Sequence, residues 1–241
     1  MTTPIRTGMA LAAGRGTRMK PLTDTRPKAL VEVGGKTLLD WALDRFADAG
    51  VENTVVNIHH FADQMEDHLS RREGAPAVTI SDERDELLET GGGLVKALPL
   101  LGNDPVFVTN IDAVWVDEWG NELKRLAAHW NPAEMDVLLL LAPIERTLGF
   151  DGPGDFFVDP TGGLEWRGDR DKAPFAYAGA HIVNPAIFRG EAIRRFSLVE
   201  TWKKLSAQGR LHGLPMDSFW MHVGDPDARE AAEAHLKAMR A

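Results

Sequence analysis

Gly14-Arg15-Gly16-Thr17-Arg18 follows directly on the apolar run Met9 to Ala13, and Pro27-Lys28 stands a short distance behind it. Glycines after a strand let backbone amides approach a phosphate, and Arg18 and Lys28 set two fixed positive charges beside it. Such a pattern serves the binding and reaction of a triphosphate. Two other phosphate-binding patterns fail at named residues. A dinucleotide fingerprint, G-x-G-x-x-G, meets Met19 at its sixth position. A P-loop ends in Gly35-Lys36-Thr37 but has Leu30 where its first glycine belongs. That tripeptide reads instead as a turn entering a helix, with Thr37 as N-cap.

Two further strings carry chemistry. Glu89-Thr90-Gly91-Gly92-Gly93 places three consecutive glycines ahead of a helix, a costly choice for structure alone and one that permits close approach to a ligand. Asp112 follows the buried run Val106 to Thr109, so it falls at the carboxyl end of a strand, where open α/β sheets place ligands. A carboxylate there suits Mg²⁺ held jointly with substrate phosphates. His59-His60 and nearby His68 invite a zinc reading, but nothing completes tetrahedral spacing, so they read as loop and helix-face histidines.

These residues need a scaffold, and apolar runs of strand length alternate with amphipathic stretches of helix length. That rhythm predicts an α/β fold with a mixed, mostly parallel sheet and helices on both faces. Strands are expected at Ile5 to Ala13, Thr54 to Ile58, Val78 to Ser81, Val106 to Thr109, Val137 to Leu141, Phe175 to His181 and Trp220 to Val223. Helices are expected over Leu38 to Phe46 with Gly50 as C-cap, Phe61 to Leu69, about Gly93 to Leu101, and Leu198 to Gln208. A last, Ala-rich helix starts at Asp225-Pro226 and runs to the end of the sequence. Phe156-Phe157-Val158 and Leu164-Glu165-Trp166 flank Asp159 to Gly163, a hairpin signal.

The 241 residues are enough for one α/β domain, and 27 basic against 36 acidic residues give −9, which argues against a nucleic-acid partner. There is no cysteine, so thiolate chemistry is excluded and a reducing compartment is the simplest home. The early apolar run is too short for a membrane span. The protein is expected to be soluble and cytoplasmic, and nothing in the sequence sets its oligomeric state.

The string Leu11 to Thr23, continuing to Pro27-Lys28-Ala29-Leu30, resembles the signature of sugar-1-phosphate nucleotidylyltransferases. The resemblance extends through Leu87 to Gly93, Asn110-Ile111-Asp112 and Trp220 to Gly224, and so covers nearly the whole chain. It implies a single Rossmann-like three-layer domain over 1–241, with a nucleotide-binding half of about 1–112, a sugar-binding half of about 113–241, and a small sugar-side hairpin. The implied reaction is attack of a sugar 1-phosphate on the α-phosphorus of UTP with loss of pyrophosphate, in the presence of Mg²⁺. Positioning and charge neutralisation do most of that work, so no side-chain nucleophile is needed.

In the roles the resemblance implies, Arg18 holds the β- and γ-phosphates, Lys28 bridges the sugar phosphate and the α-phosphate, and Asp112 holds the metal. Leu11, Ala13, Gly14, Gly16, Thr17, Glu89, Thr90 and Gly92 contact the nucleotide. Asn110, Gly154, Asp155, Gly179 and Glu200 contact the sugar, while Phe156 and Tyr177 read equally as core aromatics. One position departs from the family pattern, because His222 stands where a second metal-binding Asp is usual. Either His222 ligates the metal directly, or it acts through water, or Asp225 takes over; imidazole suits Mn²⁺ or Co²⁺ better than Mg²⁺. The rival readings are a guanylyl-, thymidylyl- or cytidylyltransferase for another sugar, and a non-catalytic nucleotide-sugar sensor.

Overall fold

A computed structural model describes residues 4–117 and 120–240. Its main sheet has nine strands: β1 (Thr7–Leu11), β2 (Asn53–Ile58), β3 (Ala77–Asp82), β4 (Val106–Asn110), β5 (Val137–Pro143), β6 (Phe156–Val158), β7 (Leu164–Trp166), β8 (Phe175–Val183) and β9 (Leu211–Pro215). Their helices are α1 (Leu38–Ala49), α2 (Ala62–Ser70), α3 (Glu89–Leu101), α4 (Glu122–His129), α5 (Leu198–Ala207) and α6 (Pro226–Met239). The strands β3, β2, β1 and β4 lie side by side and parallel. β8 then enters antiparallel to β4 and β5, and β9 pairs parallel with β5. The expected hairpin is present as β6 and β7, with Phe156 opposite Trp166, and Phe156 also pairs with Phe175 at the start of β8.

The period of two along each strand splits the interior into two cores. On β5, Leu138, Leu140 and Ala142 face the same core as Leu43 and Phe46 of α1, Met65 of α2, Leu126 of α4 and Leu236 of α6. Val137, Leu139 and Leu141 face the other, with Leu94 of α3 and Trp202 of α5. Five apolar residues in a row are tolerated because both faces are covered. The result is a three-layer arrangement with helices on both sides of the sheet.

Helix ends follow the side-chain chemistry read from the sequence. Thr37 accepts from the Asp40 amide at 3.0 Å, Gly50 closes α1 in the left-handed region at φ 87°, and Asp225 accepts from the Ala228 amide at 2.9 Å with Pro226 at the first helical position. Lys36 and Thr37 pair with Glu32 and Val33 in a two-stranded ribbon. Ala241, the end of the Ala-rich stretch, lies outside the described residues.

Helix α4 and strand β9 are not expected from the sequence, and three expected elements differ in extent or place. β1 is limited to Thr7–Leu11 because Ala12 and Ala13 turn their amides onto the Asn57 side chain. Helix α3 begins at Glu89 rather than near Gly93. The amides of its first turn, which have no partner inside a helix, are met from outside, where Gly91 and Gly92 donate to the Phe196 carbonyl at 2.9 and 3.3 Å. Trp220–His222 does not join the main sheet. It pairs antiparallel with Ala113–Trp115 and parallel with Thr147–Leu148 in a separate three-stranded sheet.

Candidate active site

The chain order reverses between β1 and β4, since β2 and β3 lie to one side of β1 while β4 lies to the other. A crevice opens at such a switch point, beyond the carboxyl ends of the strands. Leu11 ends β1 and is the register partner of both Asn57 on β2 and Asn110 on β4. The loops leaving these three strands surround a cleft of about 450 Å³.

The glycine-rich loop forms one wall. Gly16 takes φ 63°, and a Cβ there would lie 2.8 Å from Lys28 Cβ, so the loop packs directly on the turn that carries the lysine. Buried Thr23 donates to the Gly16 carbonyl at 2.8 Å and closes the turn. Gly14 differs, because a Cβ there would meet nothing within 4 Å. Its open side belongs to the cleft. Arg18 extends along the rim, with no hydrogen bond or ion pair among the described residues, and one guanidinium nitrogen would stand 3.5 Å from a Cβ at Gly224.

Beside the loop, Lys28 donates to Asp112 Oδ2 at 2.7 Å, both side chains being largely buried. Burial pushes the Asp112 carboxyl up, but the charge of Lys28 and then of His222 draws it down, and the balance lies below the ordinary carboxylate range. The residues after Asp112 are fixed from two sides. Buried Arg45 of α1 donates to the Ala113 carbonyl at 2.6 Å and lies 3.6 Å over the Trp115 ring, and Val223 donates to the Asp112 carbonyl at 2.9 Å. His222 is the register partner of Ala113. Burial lowers its imidazole below the usual range, against the opposing pull of Asp112, so the ring is neutral at pH 7.

Of the residues singled out in the sequence, Leu11, Ala13, Gly14, Gly16, Thr17, Arg18, Lys28, Glu89, Thr90, Asn110 and Asp112 all line the cleft. Gly92 lies just behind it in the first turn of α3. Gly179, at φ 82°, abuts Asn110 and Ala113 beside the cleft, where a Cβ would come within 2.6 Å of Ala113 Cβ. Asp155 is held farther along β8, accepting from the Tyr177 amide at 2.9 Å, with Gly154 beside it under Ala173. Glu200 is not among the residues lining the cleft and pairs with Arg194 at 3.0 Å. Asp225 caps α6.

Ala12, Leu87, Ile111 and Gly224, all inside the strings that carry the resemblance, also line the cleft, as do Asn57 and Ser197, which no motif in the sequence singled out. Asn57 left a readable signal: it is a polar residue in the otherwise apolar run Val55 to Ile58. Ser197, the N-cap of α5, left none.

Residues 8–211 match the model of the MobA-like NTP transferase domain family. The chain is 51% identical over 231 residues to the N-acetylmuramate alpha-1-phosphate uridylyltransferase of Caulobacter vibrioides, covering 95% of this chain and 96% of that protein. The protein of the same name from Neisseria meningitidis is 31% identical over 94% of this chain and 96% of its own length. Among solved structures, the UTP-bound UGPase from Acinetobacter baumannii has the same fold, with a TM-score of 0.79 at 17% identity over 96% of this chain and 93% of that one. Among the described residues no helix is long and apolar enough to cross a membrane.

Proposed function

The chain belongs to the MobA-like NTP transferase family, and from that premise we propose that it transfers UMP from UTP to N-acetylmuramic acid 1-phosphate. The products are UDP-N-acetylmuramic acid and pyrophosphate, an activity that belongs to the recycling of cell-wall sugars. One observation carries the reaction type: Gly14 leaves open space at a strand end, with Arg18 and the Lys28–Asp112 pair around it. The identity over nearly the full length of the Caulobacter protein supports the choice of substrates.

The planar fork of Arg18 can hold two oxygens of the β- and γ-phosphates and neutralise the charge that gathers there as pyrophosphate departs. Lys28 is placed to bridge the attacking phosphate and the α-phosphate, and to keep their mutual repulsion from separating them. In this reading Glu89 and Thr90 would contact the base, and Asn110 and Gly179 would contact the sugar.

Mg²⁺ fits this donor set. Asp112 is ionised and offers hard oxygen ligands, and no group of three or more His, Cys, Asp or Glu among the described residues forms a closed protein cage. Such a site suits an ion that keeps water and substrate phosphates as its remaining ligands. When bound, the ion would supply charge neutralisation between the phosphates. His222, neutral and adjacent to Asp112, is the better second ligand, because Asp225 already caps α6.

Pyrophosphate release from UTP tests the reading and is expected only when N-acetylmuramic acid 1-phosphate is present. No release with UTP, GTP, TTP or CTP across hexose, heptose and amino-sugar 1-phosphates overturns it.

A further inference from the structure

Asn57, at the end of β2, is 2% exposed, and its carbonyl oxygen accepts from the amides of Ala12 and Ala13 at 2.6 and 3.3 Å. Both partners are donors only, so the orientation of the side-chain amide is fixed and its NH₂ group must face the other way. There it donates to Glu83 Oε1 at 2.7 Å, while Glu83 Oε2 accepts from the Leu88 amide at 3.3 Å. Ala12 and Ala13 lead into the phosphate loop, and Leu88 precedes Glu89 and Thr90. One chain of hydrogen bonds therefore runs behind the cleft from the phosphate wall to the base wall.

The chemistry of the middle link is specific. Glu83 is 1% exposed and makes no ion pair among the described residues, and burial pushes its carboxyl up against the opposing bonds from Asn57 and Leu88. A buried carboxyl with no cation in direct contact, the charges of Lys96 and His59 acting only from a distance, is a costly choice for stability alone. Both of its neighbours are N–H donors, however, so the position needs two acceptor oxygens at that reach. A glutamine presents only one. The main chain is anchored as well: the Glu83 amide donates to the Ile58 carbonyl at 2.8 Å, and its own carbonyl lies 2.7 Å from His59 Nδ1. Gly93 leaves room for the link, because a Cβ there would lie 2.7 Å from Glu83 Oε1 and 2.9 Å from Asn57 Nδ2.

We propose that Glu83 is a positioning residue for the nucleotide, its carboxylate tying the phosphate loop to the base loop through Asn57 and the Leu88 amide so that one UTP engages both. The ribose fixes the distance between a base and its triphosphate, and a misplacement of about 1 Å can cost on the order of a hundredfold. Sheet pairing holds β1 and β2 only as far as Leu11 and Ile58, and the link carries that order into the loops. The inference rests on the reading of the cleft as a UTP site.

Calorimetric titration of the parent and of Glu83→Gln with UTP, UMP and pyrophosphate separates the possibilities. The variant is expected to bind UMP and pyrophosphate within about twofold of the parent and UTP at least about tenfold more weakly, since only UTP needs both loops at one spacing. KM for UTP should rise while KM for the sugar 1-phosphate holds. Gly93→Ala, which keeps both side chains but displaces their contact, is expected to show the same split and serves if Glu83→Gln does not fold. UTP affinity unchanged in a folded variant overturns the inference, as does a UTP loss matched by an equal loss for UMP or for pyrophosphate alone. A parent that binds no UTP instead removes the substrate assignment on which the inference stands.

Discussion

Lys28 and Asp112, 84 residues apart in sequence, meet at 2.7 Å in the cleft, so the cation and the carboxylate neutralise each other; in the proposed reaction the first would turn to phosphate and the second to the metal. Replacing the lysine would remove the proposed bridge between the two phosphates and leave a buried carboxylate without its cation. Lys28→Met is expected to lower kcat/KM by about 10²–10³, in the range for removing one charge-stabilising donor. Steady-state pyrophosphate release measures it, and a change under about tenfold would place Lys28 outside the reacting centre.

Arg18 offers a cleaner test, because it makes no hydrogen bond or ion pair among the described residues. Arg18→Ala should leave thermal stability nearly unchanged, as exposed substitutions generally do within about 0.5 kcal/mol. Its expected cost is roughly 3–4 kcal/mol of transition-state stabilisation. Activity near that of the parent would assign the β- and γ-phosphates to another residue.

His222 lies beside Asp112 with a neutral ring, and imidazole favours Mn²⁺ and Co²⁺ more than an oxygen ligand does. His222→Asp is therefore expected to shift the ratio of Mg²⁺-supported to Mn²⁺-supported activity toward Mg²⁺. The two rates measured at matched ion concentrations decide the point. An unchanged ratio in both His222→Asp and His222→Ala dismisses a ligand role.

What the sequence made legible follows from the range of the forces involved. Helix caps at Thr37, Gly50 and Asp225, and the strand runs Val106 to Thr109 and Val137 to Leu141, are local matters of one side chain or one periodicity, and they match the structure within a residue or two. The glycine-rich loop was readable for the same reason. Contacts between distant segments left weaker traces. Helix α3 starts at Glu89 because a carbonyl at Phe196 satisfies its first amides, and nothing in Glu89 to Gly93 announces that partner. Trp220–His222 has ordinary strand character, and only tertiary packing sends it to Ala113–Trp115 rather than to the main sheet. Glu200 and Ser197 occupy the same helix start, and the rotation of α5 turns the serine toward the cleft and the glutamate toward Arg194.

Far from the cleft, Asp136 precedes β5 and Arg210 precedes β9, and their side chains close the end of that parallel pair. Arg210 Nε donates to Asp136 Oδ2 at 2.9 Å, Asn184 donates to Oδ1 at 3.2 Å, and the arginine also donates to the Ala133 carbonyl at 2.7 Å. The Arg210 hydrogen bond holds the Asp136 carboxyl below its ordinary 3.8, with burial opposing and Asn184 assisting. A carboxylate depressed in the folded state binds its proton more weakly there than in the unfolded chain. Its contribution is fully present above the unfolded value and is lost as pH falls through the folded one. Asp136→Asn removes the charge but keeps one acceptor oxygen, so it is expected to cost about 1–3 kcal/mol at pH 7, the range for hydrogen bonds to charged groups. At this chain length that corresponds to a Tm lower by several degrees. The gap between parent and variant should narrow as pH is lowered from about 5 toward 3, because the parent loses there what the variant never had. Thermal unfolding across that range reads the difference, and a gap that stays constant with pH would mean that the Asp136 carboxyl titrates alike in the folded and unfolded chain.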